Sequence, residues 1–370
     1  MSFEHSIQRL MSGQAKGLFP SLGRSALACI EPLYRFEVNR RNRRFDRDAS
    51  RARKLPKPVI SVGNLTTGGT GKTPVIRWLA GALRDRGLNV GILARGYKAE
   101  PGTLGDEQRM LLAMLGGGTT TAGRVVIECD PDRHAAGLRA LEREPAIDLF
   151  LLDDGFQHRR LHRDLDIVLL HAPEPFGYGH VLPRGLLREP ITGLKRAGIV
   201  ILTSADAATP ESRATTIAEI RQHNAGVQVV FERHEPTGLR SAGTPSDQPA
   251  DVPLSALREK SAMCFSGLGS PGGFERQIRS LAGKYAGEHR FPDHHAYTAD
   301  DVRMLQASGE SAGAEVLVTT EKDWVKLAAI DGVADAKIPI WRLDVEARFE
   351  GDGAGILLAA AMARAGRGCT

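Results

Sequence analysis

The stretch "PVISVGNLTTGGTGKTPVI" constrains the fold more than any other part of this chain. A β-branched run closes on a glycine-rich turn, and the turn opens into "TPVIRWLAGALRDRG", where Ile76, Leu79, Ala80 and Leu83 recur at helical spacing. Pro74 suits a first helical turn and Gly87 supplies a stop. "NVGILA" then resumes as a strand. Strand, turn, helix and strand make a βαβ unit, which requires a parallel sheet with helices on its faces. The turn matches the G-x-x-x-x-G-K-[ST] phosphate loop at Gly71, Lys72 and Thr73. Thr66 stands where the leading glycine usually is, so Gly68 and Gly69 are expected to supply the backbone freedom. In such loops main-chain amides wrap phosphates, the lysine reaches the outer phosphoryl oxygens, and the hydroxyl ligates Mg²⁺. Thr66, Thr67, Gly68, Gly69, Thr70, Gly71, Lys72 and Thr73 are therefore the expected nucleotide-binding residues, with Thr73 also a metal ligand.

Four further apolar runs, "RVVIE", "DLFLLDD", "DIVLLHA" and "AGIVILTS", have the composition of buried parallel strands. "DLFLLDD" closes on Asp153 and Asp154, and carboxylates at a strand's C-terminal edge sit beside the phosphate site in a doubly wound sheet. Either can contact the metal, and the spacing leaves open which does. A 370-residue chain is too long for one average domain. "SAMCFSGLGSPGGFERQI" and "AEVLVTTEKDWVKL" supply two more strand–turn–helix units, flanked by the alternating stretches "VQVVFERHEPTGLR" and "IPIWRLDVEARFE". The expected fold is α/β: a P-loop NTPase-type parallel-sheet domain over 58–225 and a smaller α/β domain over 255–337. A two-stranded linker joins them, with an outgoing strand and loop at 226–254 and a return strand and C-terminal helix at 338–370.

Residues 1–57 read differently. The segment "LFPSLGRSALACIEPLYRF" is apolar but interrupted, and ten cations follow from Arg35 to Lys57 against Glu37, Asp46 and Asp48. An apolar patch beside an arginine cluster suits a segment lying on an anionic membrane surface, and equally a solvated helix packed on its own domain. No aromatic-interleaved motif supports nucleic acid as the partner. No run of about eighteen apolar residues occurs, so no transmembrane helix is expected. The first residues lack the continuous apolar core of a cleavable signal. The four cysteines, Cys29, Cys129, Cys264 and Cys369, form no C-x-x-C pair, which argues against a disulfide framework or a zinc ribbon and for a reducing compartment.

The blocks "ISVGNLTTGGTGKTP", "ARGYK", "GDEQ", "DDGFQHRRLHRDLDIVLL", "LPRGLLREP", "FSGLGSPGGF", "FPDHHAY" and "TTEKDWVKL" follow one another over nearly the whole chain. In that order they resemble the tetraacyldisaccharide 4'-kinase family of lipid A biosynthesis. The resemblance implies transfer of the γ-phosphate of ATP, with Mg²⁺, to the 4'-hydroxyl of a tetraacylated glucosamine disaccharide 1-phosphate. It implies work at the cytoplasmic face of the inner membrane by a peripheral or monotopic protein, here expected to be a monomer. It gives Asp106 in "LGDEQ" the role of catalytic base, with His294 in "FPDHH" as its partner, and places Lys72 and Asp154 among the catalytic groups. Gln157 falls in the nucleotide-side cluster, Arg188 on the substrate side, and Glu189 beside the metal. Two positions depart from the family pattern, Gln108 where proline is common and Lys98 where glycine is common, and neither removes a reactive group. If Asp106 and His294 act together, the two domains must close on the substrate with the linker as hinge. The alternative reading is a P-loop ATPase or GTPase switch acting in protein or metal delivery.

Overall fold

The computed structural model describes residues 7, 9–96, 105–115, 123–242, 251–293, 295–328, 330 and 332–366. The chain divides into two compact units. The first comprises Met1–Gln108, Gly118–Arg233 and Ala347–Thr370; the second comprises Arg109–Gly117 and His234–Glu346. The divisions at Arg233/His234 and Glu346/Ala347 fall inside two long strands, β7 (Gln228–Ser241) and β11 (Ile340–Phe349). The chain thus passes between units within two regular strands, which lie in the stretches 226–254 and 338–370.

In the first unit the strands β1 (Val59–Asn64), β2 (Val90–Ala94), β3 (Val125–Cys129), β4 (Leu149–Asp153), β5 (Leu165–His171) and β6 (Ile199–Thr203) join the start of β7 in the order β3-β2-β4-β1-β5-β6-β7. Every pairing from β3 to β7 is parallel. All residues of β1, β2 and β6 are buried, which is why these strands read as unbroken apolar runs. The helices α1 (Leu18–Arg47), α2 (Lys72–Arg84), α4 (Arg133–Arg143), α5 (Pro210–His223) and α9 (Gly353–Arg364) accompany the strands, while α3 (Asp106–Leu115) begins in this unit and belongs to the second from Arg109 onward. α2 buries Val75, Ile76, Leu79, Ala80 and Leu83, the stripe its spacing implies.

α1 is 30 residues long with Pro32 inside it, and its two faces differ in kind. One face buries Glu31, Val38 and Asn42. The other leaves Leu18, Phe19, Leu22, Ile30, Leu33 and Phe36 exposed, Phe19 at 84% and Leu33 at 71%. Arginines 44 and 47 close its last turn, the end where the helix dipole favours cations.

In the second unit β8 (Ser261–Ser266), β9 (Lys284–Arg290), β10 (Val316–Thr320) and the beginning of β11 follow the order β11-β10-β8-β9, again all parallel. α6 (Gly272–Leu281), α7 (Ala299–Ala312) and α8 (Glu321–Leu327) complete it. The sequence pattern "KYAGEHR" offers no strand signal at 284–290, because charged residues and glycine interrupt it. β9 forms there by pairing with β8, with a register shift beside Met263.

Candidate functional site

β1 ends at Asn64, and residues 65–71 carry the chain to α2, whose first residue is Lys72. Gly71 caps that helix in the left-handed region at φ 76°, and Gly68 lies at φ 102°. Open space surrounds the position of a Cβ at Gly69, whose φ is not positive. The backbone freedom thus belongs to Gly68 and Gly71, not to the Gly68–Gly69 pair expected from the sequence. A short antiparallel ribbon steadies the loop from outside. The Thr67 amide donates to the Leu186 carbonyl at 2.8 Å, the Arg188 amide donates to the Leu65 carbonyl at 2.9 Å, and Thr66 bridges Leu187. From β6, the Thr203 hydroxyl donates to the Thr70 carbonyl at 2.9 Å. The phosphate turn is therefore fixed on both sides before any ligand arrives.

The acidic turn after β4 is packed directly against β1. A Cβ at Gly63 would lie 2.7 Å from the Phe156 amide nitrogen, so only glycine lets the two segments approach. The parallel register sets Asp153 opposite Val62. Asp154 follows at φ 52°, a left-handed conformation that aspartate tolerates better than most residues. That conformation brings its carboxylate within 3.5 Å of the Lys72 ammonium, and Arg188 donates to both its oxygens at 3.0 and 2.8 Å. Burial pushes the Asp154 carboxyl up, but the charges of Lys72 and Arg188 outweigh it and hold the group below the usual carboxylate range. The side chain keeps 37% exposure, so it is crowded by its neighbours yet open to an incoming ligand.

Beneath this surface lies a second layer of polar groups. Glu189 is 1% exposed. Its oxygens accept from Arg196 at 2.8 Å each, from Asn42 of α1 at 2.9 Å and from Gln157 at 3.0 Å. Arg196 also lies 4.4 Å over the Phe156 ring. Glu189, which the family resemblance places beside the metal, thus has both oxygens engaged by protein donors. Gln157 donates to Glu189 and, also at 3.0 Å, to the Asn64 carbonyl, so its amide holds the site's floor. Arg188, expected on the substrate side, spends one guanidinium nitrogen on Asp154, while its carbonyl accepts from Tyr34 of α1 at 3.0 Å.

Thr73 stands in the first turn of α2 and Asp153 at the end of β4. A hydroxyl with Asp153 and Asp154 is an all-oxygen donor set, which suits a hard cation such as Mg²⁺. The backbone of Asp106 opens α3, but its side chain and the whole of His294 lie outside the described residues.

Asn64, Asn42 and Arg196 are among the residues of this geometry absent from the sequence expectation. Asn64 had a signal, a wholly buried amide closing an otherwise apolar strand just before the loop. Asn42 and Arg196 had none, because each meets Glu189 only through the tertiary fold.

Comparison with known proteins adds a family to this geometry. The family described as tetraacyldisaccharide-1-P 4'-kinase matches residues 24–362. The tetraacyldisaccharide 4'-kinase of Anaeromyxobacter sp. (strain K) is 38% identical over 352 residues, covering 89% of this chain and 88% of that protein. That of Syntrophus aciditrophicus (strain SB) is 38% identical over 333 residues, covering 86% of this chain and 87% of its own. Among solved structures, LpxK from Aquifex aeolicus in complex with ATP superimposes with a TM-score of 0.66 at 30% identity. The superposition covers 92% of this chain and 99% of that one.

Proposed function

The chain belongs to the tetraacyldisaccharide 4'-kinase family, and from that membership we infer that it transfers the γ-phosphoryl group of ATP to the 4'-hydroxyl of a tetraacyldisaccharide 1-phosphate. The observation that carries the reading is the convergence of Lys72, Asp154 and Arg188 on one phosphate turn. Phosphoryl transfer needs alignment and charge neutralisation more than covalent help. The amides of residues 68–73 hold the polyphosphate at the helix N-terminus, and Lys72 neutralises its outer oxygens. Mg²⁺, when bound, supplies further charge neutralisation at those oxygens, and Thr73, Asp153 and Asp154 are the residues that would hold it. Asp154 orients Lys72 and Arg188 through its two contacts, while Tyr34 and Leu65 hold the Arg188 backbone. Asp106 is assigned the proton of the attacking hydroxyl, with His294 as its partner; both assignments rest on family resemblance.

The acceptor's acyl chains stay in a bilayer, so the enzyme works at a membrane surface. No helix among the described residues is long and apolar enough to cross a membrane. α1 instead offers an exposed apolar stripe leading into arginines, the composition of a helix lying in an anionic lipid interface. This supports a peripheral or monotopic protein at the cytoplasmic face of the inner membrane.

Label transfer tests the reading. Purified protein is incubated with γ-labelled ATP, Mg²⁺ and acylated disaccharide 1-phosphate in anionic mixed vesicles. Label on the extracted lipid is expected. Label released only as inorganic phosphate would favour the ATPase switch.

A further inference from the structure

The last residue of β1 does more than end a strand. Asn64 is fully buried, and three of its polar groups engage three different segments. Its side-chain oxygen accepts from the Lys72 ammonium at 3.2 Å. Its side-chain NH₂ donates to the Thr66 carbonyl. Its backbone carbonyl accepts from Gln157 at 3.0 Å. The partners also fix which way the amide points: reversed, it would set an NH₂ against an ammonium and an oxygen against a carbonyl. One side chain therefore holds the beginning of the phosphate turn and its lysine together across eight residues.

We propose that Asn64 is the positioning residue for Lys72, anchoring the lysine ammonium over the phosphate turn while tethering the turn's entry at Thr66. The lysine has three donors. Asn64 and Asp154 engage it from the protein side, leaving it able to meet an incoming phosphoryl oxygen without giving up its anchor. A neutral acceptor suits this role better than a second carboxylate. Asn64 orients the ammonium but leaves its charge for the ligand, whereas another anion would neutralise it further. Asn64 is also sealed from solvent, so the anchor does not compete with water. The proposal rests on the phosphate-binding reading of Lys72, and its test separates the two.

The test uses the full-length protein with three variants: Asn64→Leu, Asn64→Asp and Lys72→Ala. In lipid-label transfer, Asn64→Leu is expected to lower kcat about tenfold to a hundredfold with the KM for the acylated disaccharide unchanged. Asn64→Asp keeps an acceptor for the lysine but sets an anion against the Thr66 carbonyl and neutralises the ammonium further, so transfer should fall while Lys72 acetylation does not rise as it does in Asn64→Leu. Should Asn64→Leu fail to fold, Asn64→Ala, which also removes the acceptor for Lys72, replaces it in every measurement. A second readout follows the lysine itself. Acetylation of Lys72 relative to Lys195 is measured by mass spectrometry without nucleotide, and it should rise several-fold in Asn64→Leu. In the Lys72→Ala background, adding Asn64→Leu should cost little further turnover, as expected of groups acting through one another. If Lys72→Ala abolishes transfer while Asn64→Leu changes neither kcat nor Lys72 reactivity, the positioning role is overturned and the phosphate lysine stands. If Lys72→Ala leaves transfer intact, the lysine reading fails, and the Asn64 role in transfer falls with it. A uniform fall in stability and kcat, with Lys72 reactivity unmoved and full additivity in the double variant, would make Asn64 merely structural.

Discussion

Asp154 and Glu232 both stand at the C-terminal edge of the first unit's sheet, one just after β4 and the other in β7, yet their surroundings push their proton affinities in opposite directions. Burial raises both. At Asp154 the charges of Lys72 and Arg188 overcome that effect, and the carboxyl stays ionised. At Glu232, wholly buried beside β6, burial dominates; the Ser204 amide offsets it only in part, Asp206 adds like charge, and the group is pushed up to about 8. A parallel sheet presents every strand end along one edge, but charge decides which end is fit for a polyphosphate. Where cations converge on a carboxylate that is still partly open, an anionic ligand has partners. Where a carboxyl is sealed and neutral, the edge is structural at ordinary pH.

Removing the cation at the centre of this contrast should have the largest effect. Lys72→Ala is expected to lower kcat for lipid phosphorylation roughly a thousandfold, as loss of a charge-stabilising donor at a reacting oxygen does. Circular dichroism should stay native, because Lys72 opens α2 without forming part of its buried stripe. Near-normal turnover would mean that the two ends of the edge do not differ in the way their charges imply.

Much of the cationic end was legible in the sequence. The phosphate turn sits between a buried strand and an amphipathic helix, and the acidic pair closes a second buried strand; both follow from local pattern. The family order of motifs then supplied the reaction. Glu189 shows where such reading stops. Its position in "LREP" places a carboxylate near the site, but its occupancy is set by residues 42, 157 and 196, which no local pattern connects to it. The loop glycines show a smaller version of the same limit, since a Gly-Gly pair does not say which member turns left-handed. Glu232 looked like an ordinary polar position in a half-exposed strand, and only its burial beside β6 makes its protonation unusual. The alternating pattern marked the two stretches that hold β7 and β11, but not the residue at which each strand passes from one unit to the other, because the strand continues there without a break.

Arg188→Gln should have an intermediate effect. Asp154 would keep Lys72 but lose its two-oxygen partner, so turnover is expected to fall roughly tenfold to a hundredfold through misplacement. The stability effect has a defined pH sign. A carboxyl held below its ordinary value of 3.8 contributes stability that is present above that value and lost as pH falls. The gap between wild type and Arg188→Gln, measured by urea unfolding, should therefore hold from pH 7 to about 5 and narrow as pH drops through 3.8 toward about 2. A gap that is constant with pH would show that the Asp154–Arg188 pair contributes nothing through charge.

Glu232→Gln should disturb turnover least and sharpen the contrast from the other side. A carboxyl raised from 4.5 to about 8 gives stability that is complete below 4.5 and drains away as pH rises toward 8. Across that window this one group costs the wild type on the order of 1 kcal/mol per pH unit, because the unfolded chain releases a proton that the folded chain retains. Glutamine keeps the shape and a hydrogen-bonding carbonyl but has no proton to retain. Urea unfolding between pH 5 and 8 should therefore show a flatter profile for Glu232→Gln, which gains on wild type as pH rises. That is opposite in sign to Arg188→Gln, whose deficit is greatest at neutral pH. Parallel profiles for wild type and Glu232→Gln would mean that Glu232 ionises normally inside the fold, and the contrast between Asp154 and Glu232 would then vanish.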